Sequence, residues 1–461
     1  MTSAVTQPIE PLNAETLFAD WRAQLLAAPQ ILVGLSGGLD SVVLLKLLCE
    51  VVAADKITAV HVNHGLSPNA TSWQQHAEAV CDALGVACNS ETVAVVAAGE
   101  GLESSSREAR YTVFERLLVA DGLLLLAHHA DDQVETVLYR LLNGAGSKGL
   151  AGIPAQRAVG NGRLIRPLLT QPKTALHNYA IANNLSWVDD ESNQREHHDR
   201  NYLRHGVVPA LAKRWPNYFQ RIGRSAQLSD EADQLSTLFA QQDLNTLSLR
   251  DERAGWSLSL SQLTTLDLLR QKNVLRHWPS MHGFAALNQR VIAEILDTLV
   301  TARDDAAPKV LRGEIQFCRF REKLYLIRLN DQSAAADRVR AASSGADVDL
   351  WSLEETFSLP RGQQLSASFV QGAGLKLPPG SALRVRFRLG GERCQPAGRG
   401  HSNTVKKLLQ EYALEPWWRD QVPLLYFDDE LVAVGDLWVC QGRQAGPLEN
   451  SLKIHWQTNS L

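Results

Sequence analysis

Apolar and polar positions in the first third of the chain alternate between strand and helix patterns. A short apolar run at Ile31–Val33 predicts a buried strand, and apolar residues recur at helical spacing from Val42 to Leu48. The same alternation continues along the chain. Two further strands are predicted at Ile57–His64 and Leu123–His129, and two helices at residues 72–84 and 103–119. This is typical of a parallel sheet covered by helices on both faces, which binds ligands at the carboxyl ends of its strands.

The pattern changes twice further along the chain. Residues 215–301 are mostly helical in periodicity, with apolar positions such as Leu263, Leu266, Leu269, Val291, Ile295 and Leu299. A stretch rich in Ala, Ser and Asp from Asp331 to Asp349 has no apolar periodicity and predicts a linker. Beyond it, Leu383–Leu389 predicts a strand and residues 404–412 a helix. We therefore predict an α/β domain at 1–214, a mostly helical domain at 215–340 and a small α+β domain at 341–461.

Composition narrows the class of protein. The chain has 461 residues, of which 45% are hydrophobic and 21% charged, and no apolar run is long enough to cross a bilayer. Its start lacks a basic segment followed by an apolar one, so we expect a soluble, cytoplasmic protein without membrane contact. Six cysteines without any C-x-x-C pair argue against zinc sites, iron–sulfur clusters and a disulfide framework. A net charge of −4 argues against a global polyanion binder, but not against a local basic patch.

The turn after the first strand has the features of a phosphate site. It reads Ser36-Gly37-Gly38-Leu39-Asp40-Ser41 and leads directly into the predicted helix. The two glycines allow a tight turn close to a ligand, and the N–H groups of the first helical turn attract an anion. The serines add hydroxyl donors, and Asp40 could hold a metal ion that bridges phosphates. The turn is not a Walker loop, and a glycine-rich turn that binds nothing is the alternative.

A second strand end also opens into an acidic helix start. The residues after the predicted strand are His128-His129-Ala130-Asp131-Asp132-Gln133-Val134-Glu135-Thr136. We predict that Asp131 caps the helix, while Asp132 and Glu135 share one helix face and a magnesium ion with Asp40. Compensation of the helix dipole is the alternative role for these acids. His64 and His129 end two of the predicted strands, so we expect both beside the nucleotide.

Two basic groups also suggest phosphate contacts. Arg107 and Arg110 lie one turn apart on a predicted helix, where one of them steadies a phosphate or both face solvent. The segment from Ser381 to Arg419 contains eight basic and three acidic residues, which gives it a net charge of +5. The strand pattern at Leu383–Leu389 puts three arginines on one face, which favours RNA contact over an ordinary solvated surface.

These motifs together resemble those of the bacterial tRNA(Ile)-lysidine synthetase family, within the PP-loop ATP pyrophosphatase superfamily. SGGLDS is similar to the PP-loop of the superfamily, and HHADDQVET, Asp190-Glu191-Ser192-Asn193, Arg200-Asn201 and Arg204 resemble the narrower family. Gly398-Arg399, Lys406-Lys407 and Pro416-Trp417-Trp418-Arg419 resemble its tRNA-binding C-terminal module. Val405 and Glu415 depart from the commoner Leu and Pro.

The resemblance implies a ligase that joins free L-lysine to C2 of the wobble cytidine of tRNA(Ile) with a CAU anticodon. ATP would adenylate the C2 oxygen with release of pyrophosphate, and the lysine amine would then displace AMP. The implied cofactors are ATP and Mg²⁺, with the metal on Asp40 and Asp132 and with Glu135 or Asp131 as the base. The substrate contacts it implies are Asn193, Arg200, Asn201 and Arg204 near the active site and Arg399, Lys406 and Lys407 on tRNA, with the middle domain also touching tRNA.

Two other functions remain open from the sequence. A PP-loop tRNA thiolase would use the same phosphate turn, but similar thiolases hold sulfur or a cluster on paired cysteines. A nucleotide-binding regulatory module is the alternative that is not an enzyme, and it would not need the acidic cluster or a separate basic domain. The sequence leaves the oligomeric state open between monomer and homodimer.

Overall fold

The computed structural model defines residues 11–94, 102–189, 199–303, 308–329, 350–360 and 363–458. They form two compact units, Met1–Leu235 and Ser236–Leu461, here called unit one and unit two. The predicted linker at Asp331–Asp349 and the candidate residue Asn193 lie outside the described residues. Along the described chain, no helix combines the length and the apolar character needed to span a bilayer.

Unit one contains a six-stranded sheet with the order β3-β2-β1-β4-β6-β5. Its strands are β1 (Ile31–Gly34), β2 (Ile57–Asn63), β3 (Ala87–Thr92), β4 (Leu123–Leu125), β5 (Gln156–Val159) and β6 (Gly162–Ile165). All neighbours pair in parallel except the edge strand β5, which is antiparallel to β6. The predicted α/β class is confirmed, and β1, β2 and β4 lie where the sequence placed strands.

The helices of unit one include those that the periodicity predicts beside the first strands. They are α1 (Ala14–Leu17), α2 (Arg22–Ala27), α3 (Leu39–Leu48), α4 (Ala70–Leu84), α5 (Leu102–Leu117), α6 (Ala130–Leu142), α7 (Ser147–Leu150), α8 (Lys173–Ala182), α9 (Asp199–Tyr202), α10 (Val208–Arg214) and α11 (Tyr218–Thr246). The boundary between the two units falls inside α11. Tighter or wider turns lie at Ala19–Trp21, Ala54–Lys56, Pro167–Thr170 and Leu203–Val207.

The sheet of unit one is buried on both faces, and each face has its own core. Ile31 and Val33 of β1 pack with α3, α4 and α8 on one face. Leu32, between them, packs with Phe114 of α5 on the other face. Successive strand residues point to opposite faces, so continuous apolar strands are what a doubly covered sheet requires.

Unit two begins with an antiparallel sheet that the helical periodicity did not predict. Its strands, in the order β7-β8-β11-β10-β9, are β7 (Arg250–Glu252), β8 (Gly255–Ser259), β9 (Lys309–Arg312), β10 (Ile315–Phe320) and β11 (Lys323–Arg328). Helices α12 (Leu260–Leu263), α13 (Leu268–His277) and α14 (Gln289–Ile295) accompany it, with further turns at Trp278–His282 and Leu296–Val300.

Two sets of apolar residues indicated helices in this region, and they have different outcomes. The first set is Leu263, Leu266 and Leu269, and the second is Val291, Ile295 and Leu299. Val291, Ile295 and Leu299 are all buried along α14 and the turn that follows, as predicted. The first set is divided between two helices, because Leu263 ends α12 and Leu269 lies on α13 with 77% of its surface exposed.

The rest of unit two is the predicted small α+β segment. It contains β12 (Leu350–Trp351), β13 (Phe357–Ser358), β14 (Gln363–Gln371), β15 (Leu383–Arg386), β16 (Arg393–Cys394), β17 (Asn403–Thr404), α15 (Val405–Glu411), β18 (Leu424–Phe427), β19 (Glu430–Val434), β20 (Trp438–Val439) and β21 (Asn450–Thr458), with a short turn at Arg419–Gln421. These strands form sheets ordered β12-β15-β18-β19-β20, β13-β14-β21 and β16-β17. Although the cysteine spacing argues against a disulfide framework, Cys394 and Cys440 form a disulfide with their Cα atoms 6.1 Å apart.

A polar contact joins the two parts of unit two. The buried hydroxyl of Tyr325, on β11, lies 2.9 Å from Glu415 Oε1 and 3.1 Å from Glu252 Oε2. Lys323 Nζ and Ser257 Oγ donate to Glu252 Oε1 at 2.6 and 2.7 Å. Glu415, one of the two departures from the family pattern, therefore has a specific partner in this chain.

Candidate active site

The turn between β1 and α3 is held in shape by its own hydroxyl groups. Ser36 N–H donates to Ser41 Oγ at 3.2 Å, and Ser41 Oγ donates to the Gly38 carbonyl at 3.0 Å. Gly38 N–H donates to Ser36 Oγ at 3.3 Å. Gly38 occupies the N-cap position of α3 and has no side chain to cap it, so the N–H groups of the first turn face outward for an anion.

Gly37 is required by both the backbone and the space around it. Its φ is +81°, in the left-handed region, and an added Cβ would lie 3.3 Å from Val188 Cγ2. Val188 N–H donates to the Gly37 carbonyl at 3.0 Å. A glycine is the residue that adopts this conformation without strain, so the turn is a preformed cradle.

The acidic start of α6 is capped by a histidine, which corrects the prediction that Asp131 is the cap. His129 is the N-cap, and its Nδ1 accepts the N–H of Asp131 at 3.2 Å. Asp132 Oδ2 accepts the N–H of His129 at 3.0 Å in return. This reciprocal capping box fixes the positions of His129 and Asp132 relative to each other.

Asp40 and Asp132 both face the same imidazole nitrogen. His129 Nε2 lies 3.6 Å from Asp40 Oδ2 and 3.6 Å from Asp132 Oδ2, and only 4% of the surface of His129 is exposed. Burial by itself lowers the pKa of His129, but the surrounding carboxylates outweigh it and raise that pKa above the usual value. Burial raises the pKa of Asp40, but His129, Lys173 and Arg204 lower it overall. The phosphate turn and the acidic helix start thus form one site.

The other two carboxylates of α6 already have strong partners. Asp131 accepts the N–H of Lys173 at 2.8 Å and the hydroxyl of Tyr218 at 2.8 Å. Both oxygens of buried Glu135 are held by Arg204, at 2.6 and 2.8 Å. Within the described residues, no group of three or more His, Cys, Asp or Glu side chains is placed to hold a metal ion. In this arrangement Arg204 engages both oxygens of Glu135, and the sharing of a metal ion by Glu135, Asp40 and Asp132 stays a prediction.

Asp40 and Asp132 alone fit a divalent cation better than the larger set does. Asp40 Oδ1 is buried and has no hydrogen-bond partner among the described residues. A buried carboxylate oxygen without a donor is unfavourable unless a ligand supplies the missing positive charge. Oxygen donors are those that Mg²⁺ prefers, and Mg²⁺ usually binds one or two carboxylates together with phosphate oxygens.

The two histidines at the end of β4 point to opposite faces of the sheet. Leu123, Leu125 and Ala127 pack on the α3 side, and His129 continues that series. Leu124 and Leu126 pack on the α5 side, and His128 continues theirs. His128 Nδ1 accepts the Nε–H of Arg166 at 3.1 Å. Because successive residues of an extended backbone point in opposite directions, His129 contacts the acidic cluster and His128 contacts Arg166.

His64 and two predicted phosphate ligands also belong to the α5 side. His64 lies two residues after Val62, which packs on that face, so the alternation of strand residues places both on the α5 side. His64 Nδ1 is buried without a hydrogen-bond partner in the described structure. Burial lowers the pKa of His64, and the charge of Arg110 lowers it further. Arg107 lies over the ring of Tyr111, with 5.4 Å from Cζ to the centroid. His64 and His129 thus follow strand residues that face opposite sides of the sheet, and the placement of both beside one nucleotide stays a prediction.

The remaining candidates near the active site lie on α9 and beyond. Arg204 reaches Asp132 Oδ1 at 3.6 Å as well as Glu135, so it belongs to the acidic cluster. Arg200 lies over the ring of Tyr139 at 5.8 Å, and both Arg200 and Asn201 make further polar or ring contacts. Arg166-Pro167-Leu168 also resembles the family, but sequence reasoning assigned no role to Arg166, because a single basic residue after an apolar strand carries no distinguishing pattern.

The basic residues of unit two are partly neutralised. Arg384 and Arg386 both contact Asp429 Oδ1, at 2.7 and 3.4 Å, which confirms that they share one face of β15. Arg399 pairs with Glu411 at 2.5 Å. Lys406 and Lys407 are exposed on the first turn of α15. The predicted charge of +5 omitted Asp429, so these two lysines are the clearest candidates for contact with a polyanion.

Comparison with protein-family models assigns three segments of the chain. A PP-loop domain model matches residues 10–211. A TilS substrate-binding domain model matches residues 258–325, and a TilS substrate C-terminal domain model matches residues 383–456.

Curated relatives match over nearly the full length. The tRNA(Ile)-lysidine synthase of Coxiella burnetii is 38% identical over 418 residues, which are 90% of this chain and 90% of that protein. The tRNA(Ile)-lysidine synthase of Serratia proteamaculans is 36% identical over 453 residues, 97% of this chain and 100% of that protein. Among solved structures, a U34-tRNA thiolase from Methanococcus maripaludis covers 47% of this chain and is itself covered to 80%, with 18% identity and a TM-score of 0.39.

We predict that the His128 ring stays neutral between about pH 5 and pH 8. Burial, followed by the charges of Arg166, Arg107 and Arg110, lowers its pKa to about 3. The unfolded chain takes up a proton at His128 near pH 6.5, whereas the folded chain does so near its lowered pKa. The stability that neutral His128 contributes is therefore complete above the unfolded pKa and is lost as the pH falls toward the folded one.

NMR titration of the histidine rings measures this directly. The His128→Asn variant should lose less unfolding free energy than the unmodified protein when both are acidified from about pH 6.5 to pH 4.5. A His128 signal that titrates above about pH 5 would contradict the assignment.

Proposed function

The chain belongs to the tRNA(Ile)-lysidine synthase family, and we propose from this premise how its own residues carry out the reaction. It is an enzyme that uses ATP through its PP-loop domain and forms lysidine on tRNA. We infer that it acts in the cytoplasm on tRNA(Ile) with a CAU anticodon. Free L-lysine is the second substrate, and ATP is converted to AMP and pyrophosphate.

One observation carries the assignment of the active site. His129 Nε2 faces Asp40 and Asp132 at the same distance of 3.6 Å, and so joins the phosphate turn to the start of α6. The nucleotide phosphates bind at the open first turn of α3, where backbone N–H groups and the helix dipole stabilise negative charge. A Mg²⁺ ion on Asp40 and Asp132 would neutralise charge on the leaving pyrophosphate.

The chain's own groups hold these parts in place during adenylation of the C2 oxygen. The hydroxyls of Ser36 and Ser41 keep the turn closed, and the capping box keeps Asp132 beside His129. Donors that are fixed before the reaction stabilise developing charge without the cost of reorganisation. Asp131 keeps α8 and α11 against α6, because both of its oxygens accept hydrogen bonds from them.

The Glu135–Arg204 pair suits free lysine as a substrate. An amino acid brings one carboxylate and ammonium groups, and a neighbouring carboxylate and guanidinium offer the opposite charges. In the second step the ε-ammonium, with a free pKa near 10.4, must lose one proton before its nitrogen attacks C2, and the nitrogen loses another as AMP leaves with the C2 oxygen. We assign this proton transfer to Glu135, because its partner Arg204 is a side chain that can exchange for the substrate ammonium, whereas the backbone N–H of Lys173 and the hydroxyl of Tyr218 hold Asp131 between helices.

The decisive experiment incubates the purified protein with ATP, radiolabelled lysine and a tRNA(Ile) transcript carrying a CAU anticodon. Mass analysis of the digested nucleosides should show lysidine in place of the wobble cytidine, with one AMP and one pyrophosphate released for each lysine joined. A tRNA with a different anticodon is the control substrate. Incorporation of sulfur, or ATP binding without any change in the tRNA, would refute the proposal.

The metal assignment predicts a specific defect for Asp132→Asn. The variant should fold, because asparagine still offers an oxygen to the N–H of His129. It should lose most pyrophosphate release, since loss of one charge partner of the transition state costs on the order of several kcal/mol. Pyrophosphate release across a Mg²⁺ series is the measurement, and near-normal turnover would exclude Asp132 as a ligand.

The C-terminal module predicts a separable RNA effect. Joint Lys406→Ala and Lys407→Ala changes should weaken tRNA binding and reduce its salt dependence by up to about one slope unit per lost phosphate contact. ATP affinity should not change. The Lys453→Ala variant removes an exposed lysine on β21 of the same unit and serves as the matched control. An unchanged slope in the double variant would mean that RNA docks elsewhere.

A further inference from the structure

Arginines gather on the α5 side of the sheet, outside the site that holds the nucleotide phosphates. They come from three elements: α5 contributes Arg107 and Arg110, β5 contributes Arg157, and the end of β6 contributes Arg166. Arg107 and Arg157 both lie over the ring of Tyr111, with 5.4 and 4.7 Å from Cζ to the centroid. This set is called the arginine pocket below.

Arg166 is the most unusual member, because its charge is buried. Only 2% of its surface is exposed, and it donates to His128 Nδ1 at 3.1 Å and to the Pro154 carbonyl at 2.6 Å. Both acceptors are neutral groups. Within the described part of the chain, no carboxylate pairs with Arg107, Arg157 or Arg166. A buried guanidinium without a counter-charge is costly unless an anion binds beside it.

The surroundings of the arginines are consistent with a missing anion. The same positive field, added to burial, keeps His128 uncharged, with a pKa of about 3. His64 Nδ1, on the same side of the sheet, is buried without a hydrogen-bond partner among described residues. Arg107 and Arg157 themselves are exposed, so a large ligand can reach their guanidinium groups.

The position of the pocket indicates which anion it receives. The phosphates of ATP belong to the turn before α3, on the other side of β4, where His129 and not His128 points. The reaction needs a second phosphate-bearing substrate at the same edge of the sheet, and that substrate is the tRNA. Guanidinium groups bind phosphate oxygens in a fork geometry, and arginine beside an aromatic ring suits a single-stranded nucleotide.

We propose that the arginine pocket binds backbone phosphates of the tRNA next to the reacting cytidine, an inference that rests on the proposed function. The pocket and the nucleotide site lie on opposite faces of the sheet and meet at the carboxyl end of β4. RNA held at the pocket therefore approaches the adenylation site from the α5 side. Arg166 and His128 form the floor, and Arg107 and Arg157 are the exposed contacts.

The test replaces the exposed contacts and leaves the buried floor intact. A double variant, Arg107→Ala with Arg157→Ala, should reduce the slope of tRNA affinity against salt by about 1.4 units for two phosphates of a single strand. If the two proteins bind equally at 1 M salt, this corresponds to a loss of about 25-fold in affinity at 0.1 M salt. The Arg163→Ala variant removes an exposed arginine at the start of β6 and should leave the slope unchanged. A second double variant, Arg107→Lys with Arg157→Ala, should restore part of the slope, because the charge at position 107 is retained.

The possible outcomes distinguish failure of the arginine-pocket proposal from failure of the proposed function. Affinity for an ATP analogue is measured on the same proteins, and a fall in ATP affinity with an unchanged tRNA slope would assign the pocket to the nucleotide instead. Unchanged slopes and unchanged ATP affinity would make these arginines solvated surface. Thermal unfolding confirms that the variants fold. Lysidine formation by the unmodified protein is scored in parallel, so an inactive parent refutes the function, whereas an active parent with an unchanged slope refutes only the pocket.

Discussion

The extended backbone at the end of β4 is the constraint on which the chemistry of unit one depends. Because neighbouring residues of an extended chain face opposite ways, His128 and His129 enter environments of opposite charge. His129 joins two carboxylates and begins α6, whereas His128 stays neutral against a buried arginine. The acidic cluster, the phosphate turn and the arginine pocket are thereby fixed around one dipeptide, and the apolar residues of β4 that set its register belong to the two cores of the sheet.

Much of the fold of unit one follows from local sequence, and the exceptions have physical reasons. Apolar runs predict β1, β2 and β4, because strands that are buried on both faces must be apolar. Strand β3 reads Ala-Cys-Asn-Ser-Glu-Thr and lies half-buried at the sheet edge, so its sequence carries no such signal. The sheet of the middle region consists of a local β7–β8 pair and a local β9–β10–β11 meander, and it was missed because the β8–β11 pairing that joins them links residues far apart in the chain, with helices between them.

The candidate site was predictable where strand ends alone determine it. The rule that ligands bind at the carboxyl ends of parallel strands places Asp40, His129 and Asp132 together, as the structure does. The partner of each group was not predictable. Arg204 takes Glu135, and the N-cap is His129 and not Asp131, because these choices depend on where a later segment and a ring nitrogen lie. Assignment of the chemistry to these residues stays a prediction.

In unit two, the hydrogen bonds of Tyr325 make the effects of substitutions at three positions depend on one another. A phenolic hydroxyl has one proton, which lies between Glu415 Oε1 at 2.9 Å and Glu252 Oε2 at 3.1 Å, while the other oxygen of Glu252 accepts from Lys323 and Ser257. Loss of the hydroxyl would leave two carboxylates facing each other without a shared donor. Substitutions at positions 252, 325 and 415 should therefore be non-additive, because replacing Glu415 with an uncharged residue removes the repulsion that loss of the Tyr325 hydroxyl would expose.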